Sequence, residues 1–324
     1  MDTISIKKIT GLVVIFAGLC MGLMAQEKNN AINAFNESVE LMKSGEGDVI
    51  QSFENCIKIC EQVGDSAEDI RLKAIQVLPG LYYQEAYALL TSDKNIEASL
   101  NASKKTMEVA EKYGNSRIKD NTHKIMIQAY SSMASTYFAA KDYDKALLAF
   151  DSVLMINPEH LTSIYNKALI YRGQNNNQKF SETIDLYIED LNALGDTTKV
   201  KQANDLALDY FRIAGAKAHQ ANNLGEALEL LNISAKYGND KNVFYHFAGI
   251  YNKQKKYTQA AENAQKGLEL EKGSAEEKAK FYFELGQAHA GKGETANACE
   301  VLKNSMYGPF LQPSKALRTN LKCQ

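Results

Sequence analysis

Between Ile127 and Glu159, small residues and rings alternate in an order that two closely packed helices require. Counting Ile127 as the first position, Tyr130 falls at 4, Ala134 at 8 and Tyr137 at 11. The turn Lys141-Asp142-Tyr143 occupies 15–17, and Ala146, Phe150, Val153 and Pro158 follow at 20, 24, 27 and 32. Two helices can approach closely only where both carry small side chains, here at 8 and 20, and large rings must fill the space around the crossing. Pro158 ends the second helix. The same order returns along the chain. From Leu161 it includes Ala168 and Tyr171; from Leu208, Phe211, Gly215, Ala227 and Leu231. From Lys241 it includes Phe244, Ala248, Tyr251, Lys256-Tyr257 and Ala260; from Ala279, Tyr282, Leu285, Gly286 and Ala298. A weaker unit from Pro79 has Tyr82, Ala86, Ala98 and Ala102, and a degenerate one from about residue 30 has Val49, Phe53 and Cys56. Two helix ends also match, Lys112-Tyr113-Gly114-Asn115 and Lys236-Tyr237-Gly238-Asn239, each reading as a C-terminus closed by a left-handed glycine.

The spacing from 127 to 161 is 34 residues and from 208 to 241 it is 33, but it is 48 from 79 to 127 and 47 from 161 to 208. The longer intervals call for extended helices or an extra turn between pairs. Met306-Tyr307-Gly308-Pro309-Phe310 breaks the last repeat. Ser314 to Lys322 then reads as a short capping helix with Ala316, Leu317 and Leu321 inward.

This pattern resembles the tetratricopeptide-repeat family over nearly all of residues 30–324, and in particular its exported bacterial members. The resemblance implies an all-α, right-handed solenoid of antiparallel helix pairs, a single domain over 26–324 with a cap over 307–324. It also implies a concave groove lined by the first helix of each pair. Mapped onto this chain, the groove positions hold Gln128, Ser131, Ser135 and Phe138; Thr162, Tyr165, Leu169 and Arg172; and Asp209, Arg212 and His219. They continue with Asn242, Tyr245, Asn252 and Lys253, and with Lys280, Phe283 and Gln287. Phe138, Tyr165, Arg172, Arg212, Tyr245, Asn252 and Lys253 have the aromatic, cationic or amide character that suits peptide recognition. The Lys/Asn carboxylate clamp of cytosolic members does not map: Ser131 and Ser135 hold its first two positions, Asp209 stands where a Lys belongs, and Asn166 alone fits.

Residues 1–25 stand apart. Lys7 and Lys8 precede an apolar run from Ile9 to Met24, and Ala25-Gln26-Glu27-Lys28 turns polar at once. That is the layout of a secretory signal peptide cleaved after Ala25, which places the protein in the periplasm or cell envelope. An uncleaved anchor and a lipoprotein acylated at Cys20 are the alternatives, although Leu19 is large for the residue before an acylated cysteine. An exported chain meets oxidising conditions. Cys299 and Cys323 sit on neighbouring elements of the cap and are the disulfide candidate. Cys56 and Cys60, four apart on one helix, read as small core residues.

No constellation for catalysis or metal binding is present in the sequence. No two of His123, His160, His219, His246 and His289 are spaced i, i+4, and no phosphate-binding glycine loop or nucleophile elbow occurs. His289 replaces a repeat tyrosine and reads as packing; Glu182 and Asp185 read as surface charges. A net charge of -2 leaves no basic surplus for nucleic acid. Neither an enzyme activity nor a cofactor is expected. The leading reading is an envelope scaffold for a protein or peptide. A small-molecule or glycan carrier and a membrane-docked assembly factor are the alternatives. Asp65-Ser66-Ala67 and Asp196-Thr197-Thr198 resemble O-glycosylation acceptors at Ser66 and Thr197, or else cap the helices that follow them.

Overall fold

The computed structural model describes residues 26–324, which contain helices and turns and no strand. The expected signal peptide, its cleavage site and Cys20 lie outside the described residues. Helix follows helix. The first six are α1 (26–44), α2 (Val49–Val63), α3 (Glu68–Thr91), α4 (Ile96–Lys112), α5 (Ser116–Ala139) and α6 (Tyr143–Ile156). Next come α7 (Leu161–Gly173), α8 (Asn177–Ala193), α9 (Thr197–Gln220), α10 (Leu224–Tyr237) and α11 (Lys241–Lys253). The last are α12 (Tyr257–Leu270), α13 (Ala275–Gly291), α14 (Thr295–Lys303) and α15 (Leu311–Asn320). Contacts gather the chain into two compact units, one ending at Ser163 and one covering Ile164–Gln324. Within each unit, consecutive helices pack as pairs and pairs stack on neighbours, the construction of an α-solenoid.

The long repeat intervals come from long first helices. α3, α5 and α9 each run 24 residues. Each begins eleven residues before its repeat position at 79, 127 or 208. Eleven residues are close to three helical turns, so the added segment keeps the same face toward its partner. α3 continues through Pro79.

Turn chemistry explains where helices end. A residue with positive φ is followed by the N-cap of the next helix: Lys94 then Asn95, Lys141 then Asp142, Asn175 then Asn176, Gly195 then Asp196. Each cap side chain accepts from the backbone N–H three residues on, at 3.0–3.4 Å. Gly114 is left-handed as expected, at φ 67°. Gly238 is not: it is extended at φ 163°. There the need is for space, because a Cβ on Gly238 would meet Leu208 Cδ1 at 2.9 Å. Asp196 caps α9, but Asp65 and Ser66 do not cap α3, whose N-cap Ala67 makes no side-chain bond. A short 3₁₀ turn over Gly64–Ala67 takes up that connection instead.

The core is a chain of small clusters. Phe53, Cys56, Cys60, Ala74 and Leu78 form one at the start of the first unit. Phe180, Phe211, Ala227, Leu231 and Phe247 belong to the largest one, in the second unit. Cys56 and Cys60 are buried free thiols. The crossing positions show how repeats trade size. Where position 24 is leucine, position 8 is glycine: a Cβ on Gly215 would lie 2.7 Å from Leu231 Cγ, and one on Gly286 would lie 2.5 Å from Leu302 Cδ2.

α15 closes the second unit. Cys323 is bonded to Cys299 of α14, with Cα atoms 5.5 Å apart. Buried Ser314 and Ser305 exchange a hydroxyl hydrogen bond of 2.7 Å, and the Arg318 guanidinium donates to the Cys299 carbonyl. These contacts turn the face 314/317/318/321 inward. Ala316, expected inward, is exposed. Two residues along a helix from Ser314 is nearly the opposite side, so anchoring Ser314 moves Ala316 to solvent.

Candidate functional site

An open cavity of about 700 Å³ lies in the second unit. Its lining comes from the first helices of three successive pairs. His219 stands near the end of α9; Tyr245, His246, Gly249, Asn252 and Lys253 stand on α11; Phe283, Glu284 and Gln287 stand on α13. Tyr257 adds a side wall and Leu317 of the cap another. The α11 side chains share one face because their spacing follows the helical repeat.

Gly249 organises the floor. A Cβ there would lie 2.9 Å from His219 Cε1 and 3.4 Å from Glu284 Oε1, so its bare α-carbon lets both groups close over α11. His219 and His246 meet edge to face, with Nδ1 atoms 3.3 Å apart. One ring must donate and the other accept, so at least one imidazole is neutral. Burial pushes both toward the neutral form: His246 falls to about 4 by desolvation and then by the charge of His219, and desolvation also lowers His219.

Glu284 is 8% exposed. Desolvation raises its carboxyl to about 7, against a partial opposing effect of the Asn252 hydrogen bond. Asn252 Nδ2 donates to Glu284 Oε2 at 2.8 Å and to the Glu284 carbonyl at 2.9 Å. Asn252 Oδ1 is buried without a hydrogen-bond donor. Burial holds the Tyr245 phenol up at about 12, with the Glu284 charge adding to the effect. Lys280 Nζ lies over the Tyr245 ring at 5.4 Å and donates to Asn242 at 2.6 Å. Lys253 is exposed at the rim, with Nζ 3.4 Å from Asn222 Oδ1.

Of the seven leading candidates, the structure brings Tyr245, Asn252 and Lys253 to this cavity, with His219, Phe283 and Gln287 from the wider groove set. Arg212 lies elsewhere, bonded to Asp209 at 2.7 Å and facing Asp240 at 3.7 Å. Tyr165 packs on Tyr187 with centroids 5.0 Å apart. Arg172, in the last turn of α7, does not line the cavity. Phe138 belongs to the first unit, beside Tyr143. His289 Nδ1 lies 2.5 Å from Glu294 Oε2. Asp185 accepts from the Tyr237 hydroxyl at 2.8 Å. His246 and Glu284 were missed because their repeat position, 6, lies between the groove and core positions; Gly249 stands at groove position 9 but offers no side chain. The signal was available: a glycine within the apolar first helix of a repeat, facing a glutamate in the next. Among the described residues no group of three His, Cys, Asp or Glu is placed to hold a metal.

This arrangement of helix pairs is a tetratricopeptide-like α-solenoid, and residues 127–160 match the family described as tetratricopeptide repeat. No curated protein sequence matches. Solved structures with a similar fold include a tetratricopeptide repeat protein from Parabacteroides merdae, 15% identical, covering 92% of this chain and 99% of that one, TM-score 0.29. Another is YrrB, a TPR protein with an unusual peptide-binding site, 17% identical, covering 64% of this chain and 97% of its own, TM-score 0.33. A third is MamA, 16% identical, covering 61% and 97%, TM-score 0.30. None of these likenesses carries a site over to this chain.

Proposed function

We propose that the protein is a non-enzymatic scaffold of the bacterial envelope that holds a segment of a partner protein in the cavity of its second unit. The supporting observation is the convergence of side chains from α9, α11 and α13 on one open site, with rings, amides and a buried carboxyl in reach of a single ligand. Such a mixture of apolar walls and a few polar groups suits binding. It suits catalysis poorly. No Ser, Thr or Cys lines the site, and each imidazole directs Nδ1 at the other instead of at an orienting carboxylate. An open cavity fits an extended segment better than an enclosed small molecule. Among the described residues no helix is long and apolar enough to cross a membrane. The envelope assignment rests on the composition of residues 1–25.

Photo-crosslinking in the native envelope tests this reading. A benzophenone side chain at Phe283 is expected to give protein adducts, and the same group at Arg172 or Phe138 to give none. Equal adducts at all three positions, or none at Phe283, would refute it. Intact mass of the isolated protein tests export: a mass beginning at Gln26 supports it, and retention of residues 1–25 or acylation at Cys20 argues for a membrane-docked form.

A further inference from the structure

We propose that the cavity takes the guanidinium of an arginine side chain carried by the bound peptide, with Glu284 as its counter-charge. This rests on the peptide-binding reading above and names the chemistry of the anchor.

Two acceptor groups, the Glu284 carboxyl and the Asn252 amide oxygen, stand on the cavity lining with acceptor capacity to spare. Glu284 lines the cavity although it is more than nine-tenths buried. Its Oε2 accepts from Asn252, while no hydrogen bond from the described residues reaches Oε1. Asn252 uses its amide N–H groups on Glu284, which leaves Oδ1 buried and without a donor. Buried polar groups are almost always paired, so the orphaned Asn252 Oδ1 calls for a donor, and Glu284 Oε1 in the same cavity can accept a second one. A guanidinium presents five N–H groups in a rigid fork and stays charged, so it can serve both acceptors at once. The rings of Tyr245 and Phe283 offer apolar walls for its aliphatic stem.

The remaining charges agree with a cation at this point. An anion would meet Glu284. The two imidazoles are engaged with one another and at least one is neutral, and the ammonium of Lys253 stays at the rim beside Asn222. The titratable groups around Glu284 are His219 from α9, Tyr245, His246 and Lys253 from α11, and Tyr257 from α12; α15 contributes only Leu317. Between pH 6 and 8 Glu284 changes charge, since its carboxyl is held at about 7. A bound guanidinium requires the carboxylate, so binding below this value expels the proton, and affinity rises with pH across the window. Loss of charge on His219 acts in the same direction, which is why a variant at position 284 is needed.

The test uses blocked pentapeptide pools with mixed flanks and a fixed centre of arginine, citrulline, lysine or glutamate, retained on the immobilised protein. Citrulline keeps the shape and removes the charge. The arginine pool is expected to be retained about tenfold over citrulline, with lysine between, because a charge-assisted pair is worth about that factor. In Glu284→Gln, which keeps the Asn252 bond, the arginine preference disappears while a uniform background remains. Calorimetry of the best arginine peptide on the unaltered protein, in two buffers of different ionisation enthalpy, is expected to show proton release that is larger at pH 6 than at pH 8. Equal retention of citrulline or glutamate pools, an arginine preference that survives Glu284→Gln, or no proton release would overturn the proposal. Retention of no pool by either protein would overturn the peptide-binding reading itself.

Discussion

Replacing Gly215 by alanine tests the account of helix packing most directly, because two effects of known size act in opposite directions. In the interior of α9, an alanine gains about 1 kcal/mol of helix propensity over glycine. The new methyl group would lie 2.7 Å from Leu231 Cγ, 3.0 Å from its Cδ2 and 3.2 Å from its backbone nitrogen. Leu231 is fully buried, so rotating its side chain leads into other atoms, and the backbone contact requires α10 to move. Overpacking of this kind costs about 1–3 kcal/mol. The net effect is a loss of roughly 1 kcal/mol, reaching about 2 if α10 cannot shift. Gly225 provides the control in the partner helix: it has nothing within 4 Å of a Cβ, so Gly225→Ala is expected to be neutral or to stabilise by up to about 1 kcal/mol. The assay is urea unfolding followed by helical circular dichroism, with the m-value checked because repeat arrays can lose cooperativity. A Gly215→Ala protein as stable as the parent, or more so, would refute the claim that position 8 is set by the leucine at position 24.

Three further outcomes are expected. Reduction of Cys299–Cys323, which are 24 residues apart, or Cys323→Ser, should destabilise α15 by up to about 3 kcal/mol, read as faster amide exchange over 311–320 with little change in the first unit. For pH dependence, Glu284 holds its proton to about 7 in the folded state and to an ordinary carboxylate value when unfolded, so its contribution to stability falls as pH rises toward about 7 and levels off above. His246, held down at about 4, contributes in the opposite sense, its stability rising from about pH 4 to its ordinary value. His219 is lowered as well, and the imidazole contributions extend to about pH 7.5, so the carboxyl is read as a difference: from pH 6 to 7.5 the melting temperature of the native protein should fall relative to that of Glu284→Gln, and parallel profiles would contradict the raised carboxyl. Lys241→Met should cost about 1–3 kcal/mol by chemical denaturation, since Glu271, only 3% exposed, would lose its 2.8 Å partner. No loss would mean that the Gly273 N–H alone satisfies that carboxylate.

The two levels of information divide along clear physical lines. Spacing of small and large residues is local, so the sequence sufficed for an all-helical stack and for turns such as Lys141-Asp142. Each of these follows from the 3.6-residue period and from side chains that cap their own backbone. The same locality placed Tyr245, Asn252 and Lys253 on one helix face. What depends on partners distant in the chain was hidden. His219 and His246 are 27 residues apart and on different repeats, and no i, i+4 rule relates them. Glu284 looks like any surface carboxylate until α11 and the bare α-carbon of Gly249 enclose it. Ala316 was assigned inward from periodicity, but the Ser305–Ser314 contact rotates that helix. Gly238 looked like a left-handed cap, and only its closeness to Leu208 shows why glycine stands there. Helical period and turn chemistry are properties of a segment and its neighbours in sequence. Burial, proton affinity and the meeting of two imidazoles are set by groups that only packing brings together.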